Sequence, residues 1–572
     1  MTVGDDRKDL LSAVEMFRSE VHHATFPLDI PSVDKAIATR AALVKQLDDY
    51  LIPRLSSLDA PLLAVVGGST GAGKSTLVNS LVGSVVTQCG VLRPTTRRPV
   101  LVHHPKDEAW FNGSRILPDL VRITGVDGPV GGARDDHTAI SLVSSQALPA
   151  GLALLDAPDI DSVVHANRDL AGQLFLAADL WIFVTTASRY ADAVPWEFLR
   201  GAFEHGTSVA IVLDRVPPDA MEEIRTHLAS MLRERGLAEA PIFTIVETTV
   251  TADGLLSERQ IARLRSWLSA LARDAKARSI VVRRTLDGAL KSVPDSARTL
   301  SDASDEQEQA AAALHREVER TYLEAMKSVE HAMTDGTLLR GEVLARWQEF
   351  VGTGQFLRQV ESGISRLRDR IAAAVRGNSP PTSGLGEALQ SGVAELLTAQ
   401  SRDATATVLR RWRQLPGGAA LVVAHPELAT GASETADNVE RLVLGWQHEV
   451  RDMVRAESGD KRTTARVLSF GVNGVGVILI LLVFSQTGGV TGSEVGIAGG
   501  SALLAQRILE AIFGDQAVRN LAARARHQLM VRAQEMYSAE QAPLNAAVSA
   551  IEVSAGQTDR IKDAAARVEV AL

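Results

Sequence analysis

Residues Leu62–Thr76 read LLAVVGGSTGAGKST. The apolar run Leu62 to Val66 has the length of a buried strand, and the glycine-rich turn after it leads into the amphipathic start TLVNSLV. Gly68, Gly73, Lys74 and Ser75 satisfy the pattern G-x-x-x-x-G-K-[ST] in the strand, loop and helix setting that gives it meaning. The chemistry explains the spacing. Along Gly68, Ser69, Thr70, Gly71, Ala72, Gly73, Lys74, Ser75 and Thr76 the backbone N–H groups can wrap a phosphate chain, and the following helix offers its positive end. Lys74 reaches β and γ oxygens, and the Ser75 hydroxyl can ligate Mg²⁺. The bland alternative is a glycine-rich turn that happens to end in Lys-Ser, and it leaves the strand–loop–helix setting unexplained.

Around this loop, short apolar runs alternate with amphipathic stretches from about residue 60 to 275. The runs are Leu62–Val66, Val100–His104, Leu152–Leu155, Leu180–Val184, Val209–Leu213 and Ile242–Val246. Strands alternating with helices predict an α/β domain with a mostly parallel sheet. The segment before it carries apolar positions at helical spacing, such as Leu10, Val14 and Phe17, then Ala42, Leu43 and Leu47. After Leu256 the strands stop and the chain becomes rich in Ala, Leu, Glu and Arg. Leu314, Val318, Tyr322, Met326, Val329 and Met333 then mark one face of a long helix, and Ser301 to Thr334 would span roughly 50 Å. Gly377–Pro381 and Pro416-Gly417-Gly418 read as turns between helices, and a last helical segment runs from about Asp515 to Leu572.

Composition narrows the function classes. The 572 residues carry a net charge of −9, which argues against a general nucleic-acid binder. Aromatics are 4% of residues against 45% hydrophobic, so the apolar mass is aliphatic and suits helices better than an extended β protein. The single cysteine, Cys89, excludes an intramolecular disulfide and reads as a small apolar filler. The 13 histidines show no zinc spacing. MTVGDDRKDLL is acidic and lacks the pattern of a secretory signal, so the bulk of the chain is expected in the cytosol.

The loop LRPTTRRPV, Leu92 to Val100, enters the second strand. Thr96-Arg97-Arg98-Pro99 resembles the first switch of the dynamin superfamily of GTPases. That resemblance implies that Thr96 closes on Mg²⁺ and on the attacking water, with Thr95 as the neighbour open to confusion. The strand LALLDAPD supplies Asp156, which fits the acidic residue that orients Mg²⁺ through water, or is an ordinary strand-end aspartate. The GTPase pattern D-x-x-G then requires glycine where this chain has Asp159, and Ile160 stands where some GTPases place a catalytic glutamine. After Val209–Leu213, Asp214-Arg215-Val216-Pro217 occupies the place of [NT]-K-x-D. Arg215 can stack on a purine and Asp214 stands for the Asn or Thr, but Pro217 replaces the base-pairing Asp. GTP as the nucleotide is therefore what the resemblance implies.

Val467 to Phe484 contains no charge and spans about 18 residues, roughly 27 Å as a helix, at the lower limit for crossing a bilayer. A weaker apolar stretch, Val495 to Phe513, follows; Gln506, Arg507 and Glu510 interrupt it, and Gly496, Ala498, Gly499, Gly500 and Ala502 allow close helix approach. Lys461, Arg462 and Arg466 precede the pair and Arg507, Arg519, Arg524 and Arg526 follow, while the connecting loop has no basic residue, which places both flanks on the cytosolic side. The rival is an apolar hairpin buried in a soluble helical bundle.

The whole plan resembles bacterial dynamin-like proteins. It predicts an α/β P-loop GTPase head with a mostly parallel sheet, plus an extended all-α helical-bundle stalk carrying an apolar membrane hairpin. The expected divisions are N-terminal helices 1–58, head 59–275, neck and stalk 276–465, hairpin 466–513 and a returning helix 514–572. The resemblance implies GTP and Mg²⁺ as cofactors, catalytic roles for Lys74 and Thr96, and metal contacts from Ser75, Thr96 and Asp156. It also implies nucleotide contacts from the loop Gly68–Thr76, Asp156, Asp214 and Arg215. Membrane lipid and further copies of the chain, joined through heads and stalks, are the expected partners, at the cytoplasmic membrane. A nucleotide-gated scaffold with little hydrolysis and a P-loop ATPase regulating a membrane complex are the alternatives.

Overall fold

In the computed structural model, seven consecutive buried residues, Leu62–Gly68, form β1 near the middle of an eight-stranded sheet. The structure describes residues 3–87, 98–113, 115–124, 138–160, 165–192, 196–197, 199–201, 207–334, 338, 342–343, 345–346, 382–430, 433–458, 472–484, 505–506, 509–510 and 512–572. The other strands are β2 Val100–His103, β3 Val121–Thr124, β4 Ala139–Ser144, β5 Leu152–Asp156, β6 Leu180–Thr186, β7 Ser208–Val216 and β8 Ile242–Val246. Their order is β3-β4-β2-β5-β1-β6-β7-β8. Every pairing is parallel except that of β2 with β5. The expected mostly parallel sheet is present, and β3 and β4 are strands that the apolar runs did not announce.

Alternate side chains of β1 explain why the sheet is covered on both faces. Leu63 and Val65 join one apolar cluster with Leu170 and Leu174 of the helix His165–Leu176 and with Leu228 and Leu232 of the helix Met221–Glu234. Leu62, Ala64 and Val66 join another with Leu77 and Leu81 of the helix Lys74–Val82 and with Ile261, Leu264 and Leu268 of the helix Glu258–Arg273. A parallel strand buried on both faces reads as a continuous apolar run, as β1 does.

Two compact units divide the chain. The first comprises residues 1–26, 32–305 and 553–572, and the second residues 27–31 and 306–552. Besides the sheet, the first unit holds a helical cluster built from Val14, Phe17 and Val21 of the helix Val3–His23, from Leu286 and Leu290 of the helix Ala275–Lys291, and from Ile561 and Val568 of the helix Gln557–Ala571. Helix Val3–His23 packs along helix Gln557–Ala571, so distant parts of the sequence share one core.

In the second unit the predicted stripe Leu314, Val318, Tyr322, Met326, Val329 and Met333 is buried throughout. It belongs to the helix Val293–Thr334, roughly 63 Å long. Trp412 Nε1 donates to the Leu314 carbonyl at 3.1 Å and Tyr537 Oη to the Leu397 carbonyl at 3.1 Å. The turn at Pro416-Gly417-Gly418 is present: Gly417 adopts φ +73° and opens the helix Gly418–Ala424. The turn read at Gly377–Pro381 lies outside the described residues. The single terminal helix read from Asp515 to Leu572 is two, Asp515–Ser549 and Gln557–Ala571, parted near Gly556 at φ +70°.

The apolar hairpin requires a correction. Of its first limb the structure describes the helix Val472–Val483. Among the described residues no helix is long and apolar enough to cross a membrane. This helix packs against the helices Thr382–Trp412, Ser433–Glu457 and Asp515–Ser549. Its side chains from Val475 to Val483 are buried except that of Val477. Phe484 meets Trp446 edge-on at 5.9 Å, and Arg526 donates to the Val483 carbonyl at 2.9 Å, closing the helix end. Residues 467–471 and the connecting loop, with most of the second limb, lie outside the described residues.

Candidate functional site

Because β1, β5, β6 and β7 run parallel, their carboxyl ends share one edge of the sheet, the place where open α/β sheets bind ligands. Gly68, Asp156, Thr186 and Asp214 end or lie near the ends of these strands. The P-loop turns there through three left-handed glycines, Gly68 at φ +148°, Gly71 at +74° and Gly73 at +95°. At Gly68 a Cβ would collide with the Val184 carbonyl oxygen, and at Gly73 it would come within 2.5 Å of Asp214 Oδ2. These two positions admit glycine alone, for reasons of both conformation and space.

Lys74 and Ser75 open the helix Lys74–Val82. The Lys74 ammonium is buried and donates to the Gly68 and Ser69 carbonyls, each at 3.0 Å, and to Asp159 Oδ1. The Ser75 hydroxyl donates to Asp156 Oδ2 at 2.7 Å, and the Thr87 hydroxyl donates to the same oxygen at 2.8 Å. Asp156 is completely buried, and its Oδ1 has no hydrogen-bond partner among the described residues. Burial pushes the Asp156 carboxyl above its ordinary range, while the bonds from Ser75 and Thr87 pull the other way.

The donor set fits Mg²⁺. A hydroxyl and a buried carboxylate converge, and one carboxylate oxygen is left for a ligand such as a metal-bound water. Among the described residues no three His, Cys, Asp or Glu side chains gather as a metal cage. A P-loop needs none, since Mg²⁺ keeps several waters and takes phosphate oxygens. Thr96, with the rest of the loop 88–97 and Cys89, lies outside the described residues.

Asp214 and Arg215 fall on an irregularity of β7, where the register with β8 shifts between Leu213 and Val216. Arg215 has φ +56°, a conformation uncommon for a non-glycine residue. Asp214 is buried; its Oδ1 accepts from the Arg215 N–H at 2.9 Å and its Oδ2 lies against Gly73. Burial raises the Asp214 carboxyl, and the Arg215 N–H and charge oppose this. The carboxylate thus lies beside the P-loop at Gly73. Ile160 is buried in the apolar cluster with Leu170 and Leu174, so it has no polar atom to offer a water.

Two supports escaped the sequence reading. Asn79 Oδ1 accepts from the N–H groups of Val86 at 2.9 Å and Thr87 at 3.0 Å, and its Nδ2 donates to the Thr87 carbonyl at 2.8 Å. It fixes the hydroxyl that Thr87 turns toward Asp156. Arg189 donates to the Thr70 carbonyl at 2.9 Å and pairs with Asp192, gripping the P-loop from the β6 side. Neither residue belongs to a local motif; a polar side chain at the buried face of the P-loop helix was the signal available for Asn79.

Comparison with known proteins supplies the class. Residues 63–215 match the model of the dynamin family, so the resemblance read at Thr96-Arg97-Arg98-Pro99 and Asp156 has its family. A stretch of 164 residues is 24% identical to a probable transmembrane GTPase FZO-like, chloroplastic, of Arabidopsis thaliana. It covers 29% of this chain and spans 16% of that relative's length. Among solved structures, two from an oligomerised bacterial dynamin pair, described as a mechanism for long-range sensing and tethering of membranes, align over 98% of this chain at 9% identity. They cover 95% and 94% of those chains, with TM-scores of 0.43 and 0.45. Toc33 from Arabidopsis thaliana, in complex with Mg²⁺ and GMPPNP, aligns over 42% of this chain and 92% of its own at 14% identity and a TM-score of 0.25.

Proposed function

We propose that this chain is a Mg²⁺-dependent GTPase of the dynamin type that binds membrane and, through head dimerisation and self-assembly, remodels or stabilises it at the cytoplasmic face. The observation that carries the reading is the convergence of Lys74, Ser75 and the orphaned Asp156 oxygen at the end of β1, within a dynamin-family domain. Ser75 and Asp156, with Thr96 by family resemblance, would hold Mg²⁺, which when bound neutralises charge between β- and γ-oxygens. The loop Gly68–Thr76 orients the phosphates by backbone N–H groups, Lys74 supplies positive charge, and Asp214 lies beside the loop at Gly73. Arg215 would stack on the purine through its guanidinium plane. In the division proposed, residues 59–275 form the head, flanking helices 1–58, 276–465 and 514–572 the neck and stalk, and 466–513 the membrane-seeking segment.

A second reading, a nucleotide-gated scaffold with little turnover, is favoured by the buried Ile160 and by the occupation of Lys74 by Asp159. Purified protein assayed with GTP and ATP, with and without liposomes and beside Lys74→Ala, separates these. Lipid-stimulated turnover of GTP lost in Lys74→Ala supports the main reading, tight binding without turnover the second, and preference for ATP overturns the guanine assignment. Alkaline carbonate extraction tests the anchor: recovery in the soluble fraction removes the membrane insertion.

A further inference from the structure

Lys74 has three N–H donors, and the structure engages all of them: two on the Gly68 and Ser69 carbonyls and one on Asp159 Oδ1. The side chains of this pair are 4% and 12% exposed, so the attraction is little screened. Asp159 is also not free to drift. Its turn is pinned on both sides to β1, by the Ala157 N–H on the Val66 carbonyl at 3.1 Å and the Ile160 N–H on the Gly68 carbonyl at 3.4 Å, and Ile160 is anchored in the apolar cluster beyond. The carboxylate therefore occupies the Lys74 donor that a third phosphate would use.

From this juxtaposition, and resting on the nucleotide-binding reading above, we propose that Asp159 is a specificity residue that sets the head against nucleoside triphosphate relative to diphosphate. A β-phosphate is held chiefly by the backbone N–H groups of the loop Gly68–Thr76, and the Lys74 donor it takes can come from the Gly68 or Ser69 carbonyl, leaving the Lys74–Asp159 pair in place. A γ-phosphate needs the ammonium, and its oxygens would then stand beside a carboxylate of like charge. Triphosphate binding accordingly requires Asp159 to turn away from Lys74. Because Asp159 and Ile160 share one pinned turn, the third phosphate is coupled mechanically to the segment after β5. No bond is made or broken in this step; one ionic partner of Lys74 is exchanged for another.

The test measures binding of GDP and of GMPPNP to the full chain with Mg²⁺, by titration calorimetry, for the wild type, Asp159→Asn and Asp159→Gly. The wild type should bind GDP about ten-fold or more tighter than GMPPNP. Both variants should gain about ten-fold for GMPPNP while GDP affinity moves less than about three-fold. Equal changes for the two nucleotides overturn the proposal, as does a loss of GMPPNP affinity, which would make Asp159 a support for Lys74. Thermal melting checks that the variants fold, and a misfolded Asp159→Gly leaves the isosteric Asp159→Asn to decide. If the wild type binds neither nucleotide, the nucleotide-binding reading and this proposal both fall. If it binds both and the variants leave the ratio unchanged, only the proposal falls.

Discussion

Arg54 and Asp179 form a buried two-pronged ion pair that joins the helix Ile52–Ser56 to the start of β6, with side chains 6% and 0% exposed. Arg54 Nε donates to Asp179 Oδ1 at 2.7 Å, and the rest of the guanidinium donates to the Ala60 carbonyl at 3.1 Å and the Pro61 carbonyl at 2.8 Å. Asp179 Oδ2 also accepts the Leu63 N–H at 2.8 Å, at the entrance to β1. Each polar atom of the pair has its partners, which is the condition under which a buried ion pair is tolerated. Removing one member strands the other. Asp179→Ala or Arg54→Ala should lower unfolding free energy by about 3–5 kcal/mol in urea titration, whereas the apolar double replacement Arg54→Met with Asp179→Leu should cost less than either single change.

A carboxylate nearby sets a pH dependence. Asp49 lies in the π-helical turn Leu47–Leu51, is 2% exposed, and has one oxygen bonded to Gln173 Nε2 at 3.1 Å. Burial pushes its carboxyl up to about 6, the Gln173 bond opposing. Since the folded value lies above the unfolded one, Asp49 costs nothing below about pH 4. Its penalty grows as pH rises toward 6 and stays constant above, reaching at most about 3 kcal/mol. Asp49→Asn should therefore melt higher than wild type at pH 7.5 and lose that advantage near pH 4; an advantage equal at both pH values would contradict the account.

Asp156 should trade stability for chemistry. A wholly buried carboxylate with one orphaned oxygen is costly to fold around, so Asp156→Asn is expected to raise the melting temperature without nucleotide. The same change should reduce Mg²⁺-dependent hydrolysis by about 100-fold or more, since the oxygen left for the metal's water is replaced by an amide. Thr87→Val, which removes only the supporting hydroxyl, should retain most of the stability and lose about ten-fold in activity.

At Gly73 the expected outcome turns on two independent obstacles, the φ of +95° and the 2.5 Å approach of Asp214 Oδ2. Gly73→Ala should abolish nucleotide binding in fluorescence titration. Adding Asp214→Ser relieves the collision and leaves the backbone strain, about 1–3 kcal/mol, so binding should return only in part.

Much of this was legible because it is local. The runs that became β1, β5, β6 and β7 are continuous and apolar, as strands covered on both faces must be. β3 and β4 were not legible: VRIT is largely exposed and AISLVS mixes small polar residues with its apolar ones, so neither stands out from loop sequence. Lys74 and Ser75 were found by their motif, whereas Thr87, Asn79 and Arg189 act through contacts that only the folded chain creates. The departure at Asp159 could be seen as a letter, but its partner, Lys74, could not. The apolar run Val467–Phe484 was legible but its destination was not, since an apolar helix bound for lipid and one bound for a protein interior have the same composition.

The helical cluster in which Val3–His23 lies along Gln557–Ala571 has a consequence for biosynthesis. The sheet from β1 to β8 is encoded in one stretch and can assemble while the ribosome is still translating the residues after it. The cluster beside it cannot close until residues 557–571 have emerged. For most of the time taken to make the chain, Val14, Phe17 and Val21 therefore lack the part of their cover that the helix Gln557–Ala571 supplies, and this helix is where a chaperone should be found on the nascent protein.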